Sequence, residues 1–355
     1  MREQKKYLVI YHKEDNDGVF SGALFYDYLI NRMGCKLEDL CFLGADYNML
    51  AQFAKNNTVE DLHRDFENII ITDVSFNDVS YMKKLWKEFG NNFVWCDHHA
   101  PIIKASFENR FDDVPGVRDT GRSAILNVWK YLYDQFDEAY NAKKVPELLR
   151  ILSGWDSWTY EKEGYDFEYV RNVNKAVTIK YNLELGKVRP LVHELYKVYI
   201  ENTPGQMSTS FKDAPLIKEL HETGKVLNEY DDIVMADIIK NCGDCSWKLI
   251  YNDKETNTIV EKPTCAIFHE GHSNSTMFKS LKINNPEIQN GLVFKHQANG
   301  NWVVSLYNIY DETDFHCGDF MKRTFKGGGH KGAAGCTMTE AQFVKVLKSK
   351  NIIDK

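Results

Sequence analysis

Three short apolar runs in the first hundred residues each end in acid or histidine. Tyr7-Leu8-Val9-Ile10-Tyr11 leads into His12, Asp15 and Asp17, and Asn68-Ile69-Ile70-Ile71-Thr72 leads into Asp73 and Ser75. Asn92-Phe93-Val94-Trp95-Cys96 leads into Asp97, His98 and His99. Carboxylates and imidazoles are the donors of divalent-metal chemistry. If these runs are neighbouring parallel strands, their tails converge beyond the carboxyl ends, where open α/β sheets place their ligands. Carboxylates crowded there cannot all stay ionised without cations between them. The pattern asks for metal, and for two ions rather than one.

Alternate residues of an extended loop can point into one cavity, so Asp15 and Asp17 could serve different ions. Asp73 could bridge them, His98 adds a neutral imidazole, and Asp156, at the end of a later helix, could complete the ligand set of the second ion. Mixed oxygen and imidazole donors favour Mn²⁺ or Mg²⁺ over zinc held by thiolates. Two such ions side by side lower the pKa of a shared water and clamp phosphoryl oxygens. Taken singly, each element has a blander meaning: Asp15-Asn16-Asp17-Gly18 is a turn, and a histidine pair is surface. Their joint occurrence at strand termini is what points to a centre.

Gly327-Gly328-Gly329-His330 is a different signal. Consecutive glycines let backbone N–H groups approach an anion, and His330 adds a directed donor. Lys322, Arg323, Lys326 and Lys331 raise the local potential. A phosphate-binding loop facing a metal cleft is the sharper reading; a flexible turn is the plain one.

The elements that must position these residues alternate strand and helix through the first half. Helical spacing covers Val19 to Arg32, Asn77 to Phe89 and Ser123 to Phe136, with Leu40 to Leu43 a further buried strand. Pro146 opens a helix expected to stop at Gly154, just before Asp156. Trp155, Trp158 and Tyr160 beside it read as core packing rather than as a platform for bases. Such alternation predicts a parallel sheet with flanking helices. Leu216 to Ile239 is helical and polar. Strands at Lys248–Tyr251, Thr264–Phe268, Leu292–His296 and Trp302–Leu306 follow, with helices at 275–281, 318–325 and 340–348. The expected organisation is an α/β N-terminal domain over 1–185, a helical connector over 186–240 and a smaller mixed-sheet α/β domain over 241–355, with a cleft between the domains.

The 355 residues can bury two cores, and 43% hydrophobic content is that of a globular protein. A net charge of −7 excludes a global basic surface for long nucleic acid, so a polyanion must be held locally. No apolar run approaches the roughly 20 residues that span a bilayer, and the N-terminus does not read as a signal peptide. No membrane partner and a cytoplasmic location are expected. Cys242 and Cys245 form a C-x-x-C without a second pair at zinc-finger spacing, so a turn is preferred to a zinc site.

The combination His12-x-x-Asp15-x-Asp17, Asp73-x-Ser75, Asp97-His98-His99, Asp156 and Gly327-Gly328-Gly329-His330 resembles the DHH phosphoesterases with their DHH-associated C-terminal domain. The likeness is to the nanoRNase and oligoribonuclease branch, related to RecJ-type exonucleases and cyclic-dinucleotide phosphodiesterases. It implies His12 and Asp15 on one Mn²⁺, Asp17, His98 and Asp156 on another, and Asp73 as a bridging, catalytic carboxylate. Asp97 would orient an imidazole, His99 would touch the scissile phosphate, and His330 with Gly327, Gly328, Gly329, Arg323 and Lys331 would hold the nucleotide. The His12–Asp15 spacing is one residue shorter than the commoner family form, which leaves Glu14 as an alternative ligand. Ser305-Leu306-Tyr307-Asn308 lacks an arginine that many relatives carry, and Tyr307 could stack on a base instead.

The activity implied is a Mn²⁺-dependent (or Mg²⁺-dependent) phosphodiesterase releasing mononucleotides from short RNA or DNA. Alternatives on the same fold are a cyclic-dinucleotide phosphodiesterase, a 3′-phosphoadenosine 5′-phosphate phosphatase or a polyphosphatase. An inactive nucleotide-sensing or RNA-binding module belongs to another class. Partners are therefore short oligonucleotides or small nucleotides, and a homodimer is left open.

Overall fold

Four short runs of aliphatic and aromatic residues pair side by side at the start of the chain. In the computed structural model, which describes residues 5–133, 145–197, 214–253, 256–271, 275–310, 314–329 and 331–354, they are β1 (Lys5–His12), β2 (Leu40–Ala45), β3 (Phe66–Thr72) and β4 (Phe93–Cys96). All three pairings are parallel, in the order β2-β1-β3-β4. The register is level at the carboxyl ends: His12 lies opposite Ala45, Tyr11 opposite Thr72, and Thr72 opposite Cys96. The chain leaves β1 for β2 and then crosses back to β3, so a topological switch point falls between β1 and β3.

Alternation decides which helices each strand residue serves. Val9 and Ile70 pack with α1 (Asn16–Asn31), α6 (Ala124–Tyr133), α7 (Glu147–Asp156), α8 (Phe167–Tyr181) and α9 (Leu185–Tyr196). Leu8, Ile10, Ile69 and Ile71 face the other way, onto α2 (Tyr47–Asn56), α3 (Val59–Asp65), α4 (Val79–Phe89) and α5 (Ala100–Glu108). The sheet is covered on both sides, as its nearly continuous apolar strands require.

The expected helices are found with shifted ends. The one placed over 123–136 is described to Tyr133, the remainder lying outside the described residues. The helix expected to stop at Gly154 continues to Asp156. Gly154 sits inside it because a Cβ there would come 3.1 Å from the Tyr160 Cα.

The chain divides into two compact units, Met1–Leu227 and Asn228–Lys355, the division falling within α10 (Ala214–Cys242). The second unit holds a mixed seven-stranded sheet built from β5 (Asp244–Asp253), β6 (Thr258–Phe268), β7 (Asn290–His296), β8 (Trp302–Asn308), β9 (Gly328–Gly329), β10 (Ala333–Met338) and β11 (Asn351–Ile353). Their order is β11-β5-β6-β7-β8-β10-β9, with β11–β5 and β6–β7 parallel and the rest antiparallel. One face packs on α12 (Cys317–Phe325) and α13 (Glu340–Ser349). The other meets the end of α10, a 3₁₀ turn over Ser275–Phe278 and the short α11 (Leu281–Asn284), where a single helix over 275–281 was expected. Cys242 ends α10 and β5 starts at Asp244, so Gly243 alone separates helix from strand where a two-residue turn was expected.

The junction of β1 and α1 is tight. Asp15 caps α1 by accepting the Gly18 N–H at 2.9 Å, and a Cβ on Gly18 would lie 2.2 Å from the His12 carbonyl oxygen. Gly18→Ala must therefore push α1 off the end of β1. A loss of about 1–3 kcal/mol is expected, read as a lower denaturation midpoint. An unchanged midpoint would show that the junction has slack.

Candidate metal centre

Because the strand ends are level, the polar residues that follow them meet. Asp15 Oδ2 lies 2.9 Å from His12 Nδ1, and Asp73 Oδ2 lies 3.5 Å from the same nitrogen. On the other side His98 Nε2 has Asp73 Oδ1 at 3.3 Å, Asp156 Oδ2 at 3.3 Å and Asp17 Oδ2 at 3.7 Å. Donor atoms within each of the trios His12–Asp15–Asp73 and Asp17–His98–Asp156 fall within 4.8 Å of one another. Asp73 turns one oxygen to each histidine, so the two groups share it. Glu14 is exposed, and it is Asp15 that meets His12.

These contacts are not satisfied hydrogen bonds. Both Asp73 oxygens, Asp156 Oδ2 and His12 Nδ1 are buried with no hydrogen-bond partner among the described residues. Asp73 is 1% exposed and holds a left-handed φ of +57°. Buried carboxylate oxygens without donors are costly, and strained backbone of this kind is characteristic of functional sites. Burial, with the negative charges of Asp17 and Asp15, pushes Asp73 well above the usual carboxylate range. Burial and Asp17 do the same to Asp156. Burial disfavours a charged His12, but Asp15 and Asp73 prevail and push its imidazole up to about 11. Protons are held where the donor set, four carboxylates and two imidazoles, would suit hard divalent cations. The residues fit such ions.

The other carboxylates are anchored. Asp17 is 2% exposed, and its two oxygens accept the N–H groups of Ala124 and Ile125 at 2.8 Å each, at the start of α6. This is the favourable end of a helix dipole for an anion, and each oxygen keeps a lone pair. Asp97 is fully buried: Oδ1 accepts from His98 N, His99 N and His99 Nδ1 at 2.7, 3.1 and 2.7 Å, and Oδ2 accepts from the Trp95 indole at 3.0 Å. Asp97 thus orients His99, whose Nε2 is left to point elsewhere. Burial opposes protonation of His99, yet Asp97 beside it raises its pKa.

Tyr47 is a neighbour of the site that the sequence reading missed. As the first residue of α2 it follows the end of β2, and its ring centroid lies 6.0 Å from that of His12 and 6.2 Å from His99, edge-on to the latter. Burial and the charges of Asp97, Asp73 and Asp15 raise its hydroxyl pKa. The signal available was only its position after a strand whose tail carries no run of acids.

In the second unit the candidates look different from expectation. His330 lies outside the described residues. Gly328 and Gly329 form a short strand antiparallel to β10. A Cβ at Gly327 would meet the Gly335 oxygen at 2.3 Å, and one at Gly329 the Ala333 oxygen at 2.5 Å, so both glycines have a packing reason. Gly328 has open space. Arg323 pairs with Asp354, and Lys331 is exposed. Tyr307 is 8% exposed, packed near Phe278, which removes its ring as a stacking surface. Trp158, expected in the core, is 53% exposed, whereas Trp155 and Tyr160 are partly buried against it.

Cation binding must displace the protons held by Asp73, Asp156 and His12. Displacing those protons becomes easier as pH rises, so Mn²⁺ affinity should increase from mildly acidic to mildly alkaline pH, with protons released into weak buffer on binding. A pH-independent affinity by calorimetry would contradict this. Asp73→Asn replaces a buried carboxyl at a left-handed position that Asn tolerates. Without metal it should melt no lower than wild type, and it should lose the rise in Tm caused by Mn²⁺. Retention of that rise would place the ion elsewhere.

No family model and no curated protein matches the chain. Among solved structures it is similar to a pGpG-specific phosphodiesterase of Vibrio cholerae, at 14% identity over 97% of both chains with a TM-score of 0.45. It is also similar to an exopolyphosphatase-related protein of Bacteroides fragilis, at 12% identity over 98% of this chain and 92% of that one with a TM-score of 0.43. The exonuclease RecJ bound to manganese aligns at 14% identity over 99% and 90% of the two chains, with a TM-score of 0.44.

Proposed function

We propose that this protein is a phosphodiesterase of the DHH type that uses two divalent cations, Mn²⁺ by preference, to hydrolyse short oligonucleotides to mononucleotides. The observation that carries the reading is Asp73, a buried carboxylate whose two unpartnered oxygens turn to two separate histidine–aspartate groups. Among the described residues no helix is long and apolar enough to cross a membrane.

His12, Asp15 and Asp73 would hold one cation, and Asp17, His98, Asp156 and Asp73 the other. Bound there, the pair supplies Lewis-acid polarisation of a phosphodiester and a water of lowered pKa. The chain's own residues do the rest. Asp97 accepts the Nδ1–H of His99 and so fixes which ring edge faces outward. The raised pKa of His99 favours an imidazolium whose Nε2–H can hold a phosphoryl oxygen or give its proton to the leaving oxygen. Asp17, anchored on α6, brings a carboxylate to the site without needing to reorganise. Gly327–Gly329, His330 and Lys331 are assigned to substrate capture. A pocket centred on metals and one imidazole needs no basic track, in keeping with the net charge of −7.

The test is a substrate panel with purified protein and Mn²⁺: di- to pentanucleotides of RNA and DNA, cyclic dinucleotides, 3′-phosphoadenosine 5′-phosphate and polyphosphate. Mononucleotide release from the short linear oligonucleotides is expected, and Asp73→Asn should be inactive while folded. No turnover of any oligonucleotide would defeat the proposal. Asp97→Asn must set an amide N–H against either the indole or the three donors on Oδ1, and should lower activity by roughly 10- to 100-fold. Wild-type activity in that variant would remove Asp97 from the account.

A further inference from the structure

Helix α7 ends on Asp156, in the candidate metal centre, and two residues further on the chain takes an unusual backbone position. Thr159 N–H bonds back to the Gly154 carbonyl at 3.1 Å, so the chain turns out of the helix through Trp158, whose φ is +55°. That left-handed position usually belongs to glycine, and a bulky residue there is an outlier. The same Trp158 leaves 53% of its surface in solvent. Its ring is nonetheless fixed: it stacks on Trp155 at 6.2 Å and on Phe167 at 6.0 Å, with interplanar angles of 24° and 20°. The turn beneath it is stiffened by the Ser157 hydroxyl, which donates to the Ser153 carbonyl at 2.7 Å and lies 2.9 Å from that of Thr159.

An exposed, oriented indole is what nucleic-acid-binding proteins offer to bases. Trp158 lies two Cα steps from Asp156, within about 7.6 Å along the chain. We propose that Trp158 is a stacking platform for a base of the substrate, which seats the adjoining phosphate at the metal centre. This deepens the nucleotide-hydrolysing reading of the site and rests on it. The platform selects nucleotides over bare phosphates such as polyphosphate, without selecting among bases, because every base has a π-face.

The test pairs binding with turnover. Trp158→Leu keeps apolar bulk without an aromatic face, Trp158→Phe keeps an aromatic face, and Trp158→Ala removes both. A 5′-mononucleotide titrated into the Mn²⁺-loaded protein should quench part of the tryptophan emission, and that part should be missing in Trp158→Phe. Affinity should fall roughly 5- to 150-fold in the Leu and Ala variants and only a few-fold in the Phe variant. For a dinucleotide, KM should rise by a similar factor with kcat little changed. Wild type and variants should converge on a dinucleotide whose bases have been removed, and on inorganic phosphate. Undiminished nucleotide affinity in Trp158→Leu, with wild-type hydrolysis intact, would overturn the platform alone. A wild-type protein that neither binds nor hydrolyses nucleotides would overturn the proposed function and the platform together.

Discussion

Negative charge that the protein itself does not neutralise is the constraint around which the first unit is arranged. Asp15, Asp17, Asp73 and Asp156 surround two imidazole nitrogens at 2.9 to 3.7 Å. In a medium of low dielectric such a group is tenable only if protonated or if cations stand between its members. Without cations the cluster favours bound protons, and it carries a left-handed backbone at residue 73 and buried oxygens on Asp73 and Asp156 that no donor satisfies. Divalent cations bound to the folded chain alone would recover that free energy and add stability by mass action.

The rest of the first unit exists to make the crowding reproducible. Level parallel strands set His12, Asp73 and Asp97 on one rim. The start of α6 holds Asp17 through two backbone donors, so that one carboxylate is positioned by a helix it does not belong to. Arg118 works behind β4: its guanidinium donates to the Trp95, Asp112 and Val114 carbonyls at 2.6 to 2.9 Å and lies 5.2 Å from the Trp95 ring centroid. Trp95 in turn donates to Asp97. A chain of contacts thus runs from a loop after α5 to the imidazole of His99.

Strand ends and their polar tails were legible because short continuous apolar runs and abrupt polarity are local signals. Asp156 was legible for the same reason, as an acid just past an apolar helical stretch. What sequence could not supply was the partner geometry. Tyr47 follows a strand whose tail holds one acid, the helix cap Asp46, and only the level register of β1 and β2 brings it beside His12. Trp158 looked like core by residue type, whereas exposure is settled by how α7 ends. The glycine run suggested an anion nest by composition, yet Gly327 and Gly329 are also demanded by the close approach of β10. Tyr307 was a stacking candidate until the sheet buried it.

Hydrogen-bond donors separate the structural acids from the chemical ones more cleanly than burial or position does. Asp46, Asp78 and Asp166 also follow apolar segments, but each has its oxygen engaged by backbone N–H groups as a helix cap. Asp97 is the most buried acid near the site and is saturated by four donors, so it cannot bind a cation without giving up contacts that orient His99. Asp15 and Asp17 are intermediate: each takes backbone donors and retains lone pairs directed at a histidine. Near the two histidines, Asp73 and Asp156 carry buried oxygens that nothing in the described chain satisfies, as Asp27 Oδ2 does within α1. A protein selecting for stability alone would have no use for such groups, since an amide or an apolar side chain would fill the same space at lower cost. A ligand that supplied the missing positive charge would account for their presence at the end of the sheet.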